Sequence, residues 1–454
     1  MSKKVLVIGL DCVPPSLLFE RFLPRMPVVQ ALIERGTFGP LRSIVPPITV
    51  PAWASMVTGL DAGRLGLYGF RNRVAGSYNL RLATGRDLRA KTIFDYASEA
   101  GRSVASLFVP LSFPPRPVNG VVVGGCLTPG PDSDWAFPPE RRGAFEQKFG
   151  PLRIDVPEFR SSDRERVLDE IYAMGRQHFA MARSVLVDDS PDLTMMVELG
   201  PDRFHHAFWQ TFDSTHPRYD PDDVFQSEAE RYYTFLDAEI GKTIALVPSA
   251  TVLIVSDHGA KAMRGAFCIN QWLIDEGYLA LREAPAAPTP LTHDLVDWRR
   301  TRVWATGGYY ARLFVNLRGR EPAGIVSPRD VNGLLAELER GLVELPGPNR
   351  DSISTQVVRP LRDFPVARGM PPDLMAFIGD LDYRSIGRVG VDTLFQMEND
   401  SGPDGCNHDW DGVYVLAPSS EPGTKTPASL LDIAPTVLHH LGLNGPSLEG
   451  SVIR

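Results

Sequence analysis

Several short apolar runs punctuate the chain: VLVIGL (5–10), SVASLFV (103–109), GVVVGG (120–125), LTMMVEL (193–199), TVLIVS (251–256) and GVYVLA (412–417). They run continuously instead of alternating apolar with polar residues. Such runs, rich in β-branched residues, predict strands buried on both faces, the habit of a mainly parallel sheet. Between them the apolar spacing changes to threes and fours. Phe225, Ala229, Tyr232, Leu236 and Ile240 predict a helix over 225–246. Leu168, Ile171, Tyr172, Gly175, Phe179, Ala182 and Leu186 predict another over 165–186. Strands alternating with helices predict an α/β fold with helices on both faces of a central sheet.

The alternation weakens further on. Irregular, Pro-rich stretches fall at 110–160 and 284–300, and GREPAGIVSPRD reads as a turn leading into a helix start. The expectation is a single catalytic domain over 1–454, with a cap or insertion on the main sheet within 260–400. No repeat or long low-complexity tract interrupts the chain.

Composition narrows the classes. Hydrophobic residues make up 43% and charged residues 22%, as in ordinary folded proteins. The formal net charge of -8 argues against a nucleic-acid-binding surface, which needs a basic patch. The N-terminal MSKKVLVIGLD begins like a signal peptide, but its apolar run is short and Asp11 ends it. No stretch approaches the roughly 18 apolar residues of a membrane span. Cys12, Cys126, Cys268 and Cys406 form no CxxC pair. So few cysteines suit a reducing compartment, and a cytoplasmic location is expected.

The chemistry gathers where the apolar runs stop. VLVIGLD ends in Asp11; LTMMVELGPDRFHH delivers Asp202 with His205 and His206 behind it; TVLIVSDHG ends in Asp257 and His258. DGCNHDWDGVYVLAP adds His408, read as lying in a loop before the last run. Any single aspartate after a strand is as readily the cap of the next helix. His178, His216, His439 and His440 read as structural or surface residues. The joint pattern asks for more, because the carboxyl edge of a parallel sheet is where ligands bind. Carboxylates gathered there need a cation or strong hydrogen bonds. Aspartate oxygens with histidine nitrogens suit Zn²⁺, and also Mn²⁺.

Thr49 in PPITVPAWASMVTG completes the set. Pro51 suits a first helical turn, placing Thr49 at a helix N-terminus, where backbone N–H groups and the dipole favour an anion. Read alone, Thr49 caps the helix. Beside two cations, a threonine at a helix start is what a phosphoryl-transfer site needs.

Together VLVIGLD, TVPAWASMVTGLDAGRLGLYGF, GPDRFHH, VSDHGA and GCNHDWDGVYVLAP resemble the alkaline phosphatase superfamily, closest to its type I phosphodiesterase/nucleotide pyrophosphatase branch. LLDIAPTVLHHLGL resembles the helix that closes many members, and INQWLIDEGYL and VNLRGREPAGIV resemble a prokaryotic subgroup. The resemblance implies a three-layer sandwich and two divalent metal ions, Zn²⁺ first and Mn²⁺ as the alternative. It implies Thr49 as a nucleophile that becomes phospho-threonine. Asp11, Asp257, His258 and the Thr49 oxygen would hold one ion; Asp202, His206 and His408 would hold the other. The family's Asp-to-His spacing of four selects His206 over His205. Asn72 or its competitor Arg71 would contact the phosphate.

The implied activity is hydrolysis of a phosphodiester or pyrophosphate bond in a small phosphate ester. Related alternatives are a phosphomonoesterase, a phosphonate or sulfate ester hydrolase, and a phosphoglycerate mutase-like transferase. Cys12 stands beside Asp11 and outside the nucleophile loop, against a formylglycine sulfatase; phosphatases proper and the mutases use serine. A non-enzymatic scaffold is disfavoured because every expected ligand position carries a competent residue. Tyr309, Tyr310, Trp304, Trp410 and Phe70 are candidate aromatic contacts for the leaving group.

Overall fold

The computed structural model describes residues 3–443 and 448–454. Five parallel strands form the middle of a ten-stranded sheet, in the order Gly120–Val123, Val104–Leu107, Leu193–Glu198, Val5–Leu10 and Thr251–Val255. Leu10 lies opposite Glu198 and Gly9 opposite Val255, so the three central strands end level and release Asp11, Asp202 and Asp257 at one edge. Every residue of Val5–Leu10 and Leu193–Glu198 is buried. Fully burying each Val, Leu or Ile contributes about 1.5–3 kcal/mol, so the strands make a rigid floor under that edge.

Alternate residues feed two cores, giving the three-layer sandwich. Leu6, Ile8 and Leu10 pack beneath the helices Arg164–Asp188, Gly200–Phe212 and Glu228–Ile244. Val5 and Val7 face the opposite core with Thr49–Thr58, Ile93–Glu99 and Ile433–His440. Gly9 has no side chain for a steric reason: a Cβ there would stand 2.5 Å from the Trp53 ring.

Two features depart from the sequence reading. Asp411–Ala417 joins the sheet antiparallel to Thr251–Val255, because the preceding chain re-enters at the edge where Thr251–Val255 ends. Thr37–Arg42 extends the sheet further, antiparallel to Asp411–Ala417. Its TFGPLR sequence carries Gly39 and Pro40, residues that read as a turn. Here Gly39 lets Thr426 approach, and a Cβ would meet its carbonyl oxygen at 2.1 Å.

A separate antiparallel sheet runs Val303–Thr306, Ala311–Val315, Leu374–Phe377, Gln356–Val358. The helix Val331–Val343 lays Leu334, Leu335, Leu338 and Leu342 into its core. This unit connects to the main body through a two-stranded ribbon, Gly259–Ala262 against Cys406–Asp409. His408 therefore sits on a strand opposite Ala260, and not in the expected loop. A buried ion pair, Arg73 with Glu321, ties the hairpin at Arg71–Arg73 to the same unit.

Candidate active site

Thr49 is the first residue of the helix Thr49–Thr58 and is buried. The cap position belongs to Ile48, whose backbone is extended and which makes no side-chain bond to the first turn. The Thr49 hydroxyl is thus not used as a cap; its Oγ1 lies 3.3 Å from His258 Nε2. One turn later Trp53 donates its indole N–H to Asp11 Oδ2 at 2.7 Å. The missing side chain of Gly9 makes room for that indole.

After Asp11 the chain bends sharply through Cys12, which takes a left-handed backbone (φ 66°). The bend aims the Cys12 N–H at Asp257 Oδ1 (3.2 Å) and the Val13 N–H at Ser256 Oγ (2.8 Å). Asp202 and His206 share a face of the helix Gly200–Phe212, four residues apart, with 3.4 Å between Oδ1 and Nε2. His408 stacks on His258, ring centroids 3.9 Å apart, and on Tyr309 at 3.7 Å.

The three histidines are oriented alike. His258 Nδ1–H donates to Gly259 O at 3.1 Å and His408 Nδ1–H to Pro47 O at 3.2 Å. His206 Nδ1 lies 2.6 Å from Asp404 Oδ1. A carbonyl accepts only, so the protons of His258 and His408 sit on Nδ1 and each of these two neutral rings turns a lone pair on Nε2 into the site, while at His206 burial is outweighed by Asp404, which raises the pKa of that imidazole well above its usual value. These lone pairs meet other lone pairs. His258 Nε2 lies 3.1 Å from Asp257 Oδ2 and 3.8 Å from Asp11 Oδ1; His408 Nε2 lies 3.5 Å from Asp202 Oδ1. Asp11 Oδ1, Asp202 Oδ1, Asp257 Oδ2 and His408 Nε2 are buried without hydrogen-bond partners among the described residues. Leaving such atoms unpaired costs about 1–3 kcal/mol each, more when charged.

Without a cation the carboxylates cannot all ionise. Burial, then the neighbouring Asp202, raises the Asp11 pKa well above the usual range; burial and Asp11 do the same to Asp257. Burial also opposes ionisation of Asp202, but His206 and Arg203 outweigh it and hold its pKa well below. Burial pulls His408 down to about 4 and His258 down strongly, so both are neutral near pH 7.

The donor set fits divalent cations. The ligand atoms of Asp11, Asp257 and His258 lie within 4.8 Å of one another, as do those of Asp202, His206 and His408. Two overlapping sets bring in Cys12, or Asp404 with Cys406. Burial pushes the Cys406 thiol up to about 11 and raises Cys12 well above its ordinary value, so neither offers a thiolate. Asp404 is already engaged by Arg160 and Arg384.

The family model for type I phosphodiesterase / nucleotide pyrophosphatase matches residues 5–404. The chain belongs to this family. It is therefore a phosphodiesterase/nucleotide pyrophosphatase-type hydrolase. No curated protein matches it by sequence. Human ectonucleotide pyrophosphatase / phosphodiesterase 5 superimposes with a TM-score of 0.55 at 13% identity, covering 99% of this chain and 97% of that one. The murine counterpart, described as inactive with a threonine replaced by alanine and in complex with AMP, gives 0.55 at 12%, with the same coverages. At such identities the likeness is one of fold.

Within this member of the family, the two adjacent histidines have separate surroundings. His205 is fully satisfied, with Nδ1 at 2.9 Å from Cys12 O and Nε2 at 3.0 Å from Tyr233 OH. Burial holds its pKa down to about 3. His205→Gln is expected to keep bound metal but lose about 1–3 kcal/mol of stability through these bonds. His206→Gln is expected to lose bound metal and at least about 100-fold in activity, a loss seen even for supporting groups around metals. Elemental analysis beside thermal melts separates the two, and the opposite pattern would exchange their roles.

Asn72 is not brought to the cluster. Its Oδ1 accepts from Tyr68 N (2.8 Å) and its Nδ2 donates to Gly69 O (3.1 Å), so its amide closes its own loop, and it lines a different cavity. Arg71 does line the cleft over the site, about 510 Å³, together with Phe70, Tyr309 and Tyr310. Trp304 and Trp410 pack inside apolar clusters.

Sequence reasoning missed the supports. Arg203 holds Asp155 at 2.6 and 2.7 Å and also grips Asp202 Oδ2, leaving Oδ1 facing the site. Asp404 orients His206 from 198 residues away. Tyr309, expected only as an aromatic contact for the leaving group, brings its hydroxyl to 3.3 Å from His206 Nε2. Only Trp53, one turn after Thr49, left a local signal.

Proposed function

We propose that the chain cleaves phosphodiester or pyrophosphate bonds of small, nucleotide-like phosphate esters in two in-line displacements, with Thr49 as the nucleophile. Asp11, Asp257, His258 and Thr49 would hold one divalent cation, and Asp202, His206 and His408 a second. The observation that carries this reading is the ring of buried lone pairs facing one another around Thr49. The mix of imidazole and carboxylate favours Zn²⁺, with Mn²⁺ as the alternative. When bound, such ions acidify a hydroxyl or water and offset charge on the attacking and leaving oxygens.

The chain's own residues do the rest. Thr49 Oγ1 forms the bond to phosphorus as the alcohol or phosphate leaves opposite. Water then forms the second bond, and Thr49 Oγ1 leaves and regains its proton. The uncapped helix start receives the phosphoryl oxygens on its N–H groups. Arg203 fixes Asp202, and the carbonyls at Pro47 and Gly259 keep the Nδ1 protons of His408 and His258 in place. The murine relative described as inactive after loss of a threonine, and holding AMP, supports both the nucleophile and the substrate class. The four free, buried cysteines support a reducing, cytoplasmic setting.

The test compares bis(4-nitrophenyl) phosphate with 4-nitrophenyl phosphate, a phenylphosphonate monoester and 4-nitrophenyl sulfate, with Zn²⁺ or Mn²⁺ supplied. The diester is expected to give the highest kcat/KM. A higher value for the monoester, the phosphonate or the sulfate would replace this reading with that activity.

A further inference from the structure

Four arginines are buried among the described residues: Arg73, Arg203, Arg312 and Arg384. Three hold a carboxylate: Arg73 has Glu321, Arg203 has Asp155 and Asp202, and Arg384 has Asp404. Arg312 alone has no ion pair among the described residues, although it is only 9% exposed. Its guanidinium donates to the carbonyl oxygen of Arg71 and lies against Gly69, where a Cβ would come within 3.1 Å of it. Desolvating a guanidinium without a counter-charge is costly. A fold tolerates that when an anion arrives from outside, because the planar fork suits phosphate and carboxylate.

The place of Arg312 says which anion. It projects from the strand Ala311–Val315 into the cleft shared with Ile48, the cap of the Thr49 helix, and with Arg203 and Tyr309. Arg71 lines the same cleft and also lacks an ion pair among the described residues. Asp400 is the one acidic residue on the wall among the described residues, and it accepts from Gly387 N. The phosphate that Thr49 attacks already has the helix start and the ligand cluster.

We infer that the substrate carries a second anionic group, a phosphate or a carboxylate, and that Arg312 together with Arg71 binds it. This rests on the reading of Thr49 and its cluster as the phosphodiesterase centre, and it narrows the substrate class to diesters or pyrophosphates with a further negative charge. Arg312 is then a specificity residue supplied by the inserted sheet, while the chemistry stays on the main sheet.

The metal-loaded protein is titrated by calorimetry with inorganic phosphate, phosphoglycolate and propane-1,3-diyl bisphosphate. At least one two-anion probe should bind about 10-fold or more tighter than phosphate, the gain of one charge-assisted contact. A gain for phosphoglycolate alone identifies a carboxylate; a gain for the bisphosphate alone identifies a phosphate. Arg312→Gln should erase the gain, Arg312→Lys should keep part of it, and Arg71→Ala, at an exposed position, should reduce it. No gain in the natural protein, or a gain that survives Arg312→Gln, overturns the inference. Hydrolysis of bis(4-nitrophenyl) phosphate by the same preparation keeps the two readings apart. A gain without turnover counts against the phosphodiesterase centre. Turnover without a gain counts against the second-anion site.

Discussion

Replacing Thr49 by alanine is expected to cut kcat by at least about 10³-fold, the scale of losses when a covalent nucleophile is removed. The fold should survive, since among the described residues the Thr49 side chain makes a single hydrogen-bond contact, 3.3 Å from His258, and supports no cap. Thr49→Ser keeps the hydroxyl and should keep a phosphorylated intermediate. Acid quenching during turnover followed by peptide mass spectrometry should find phosphate on the segment containing Thr49, and on the serine in the variant. An alanine variant with unreduced kcat would remove Thr49 from the chemistry. Full loss in the serine variant, with metal content intact, would point to the methyl group and its packing instead.

Stripping divalent metal should abolish turnover, and resupplying Zn²⁺ or Mn²⁺ should restore it with two ions per chain by elemental analysis. The thermal response carries independent information. A ligand present at about 1,000 times its Kd stabilises the fold by about 4 kcal/mol, so metal should raise Tm measurably. The gap between loaded and stripped protein should widen from pH 5 to pH 7.5. Asp11 and Asp257 have folded-state pKa values raised by burial, so the stripped fold retains protons that the unfolded chain has already released. The contribution of these two carboxylates to the stripped fold therefore falls as pH rises through that range. Metal replaces those protons and removes the penalty. A gap that does not depend on pH would mean these carboxylates are not the ligands.

Much of this was legible in the chain, for local reasons. Continuous apolar runs marked the central strands because burial on both faces leaves no room for alternation. Asp11 and Asp257 stood out because a charge directly after such a run is expensive. The spacing of four that selected His206 is the spacing that puts two side chains on one helix face, and His205, one residue earlier, turns towards Tyr233. Other parts were hidden because partners far apart in sequence decide them. Asp411–Ala417 looks like its parallel neighbours, since burial pattern carries no direction. Thr37–Arg42 was masked by Gly39 and Pro40, whose turn preference yields to pairing on both sides. Asn72 matched a phosphate contact by type, but its amide is consumed within its own loop. Arg312 gave no local sign, because an arginine within a strand reads as surface until the segment of Gly69 and Arg71 covers it.

The ribbon of Gly259–Ala262 and Cys406–Asp409 has a consequence for how such a protein diversifies. The chain departs beside His258 and returns beside His408, and pairing fixes those two points side by side. Everything between is, thermodynamically, a loop whose ends are already closed, and closure entropy grows only with the logarithm of loop length. Segments of very different size can therefore be exchanged between the same two anchors, provided that Asp404 and Tyr309, which touch His206 and His408, keep their places. Substrate preference is free to drift in the exchanged segment while the reaction centre is inherited unchanged.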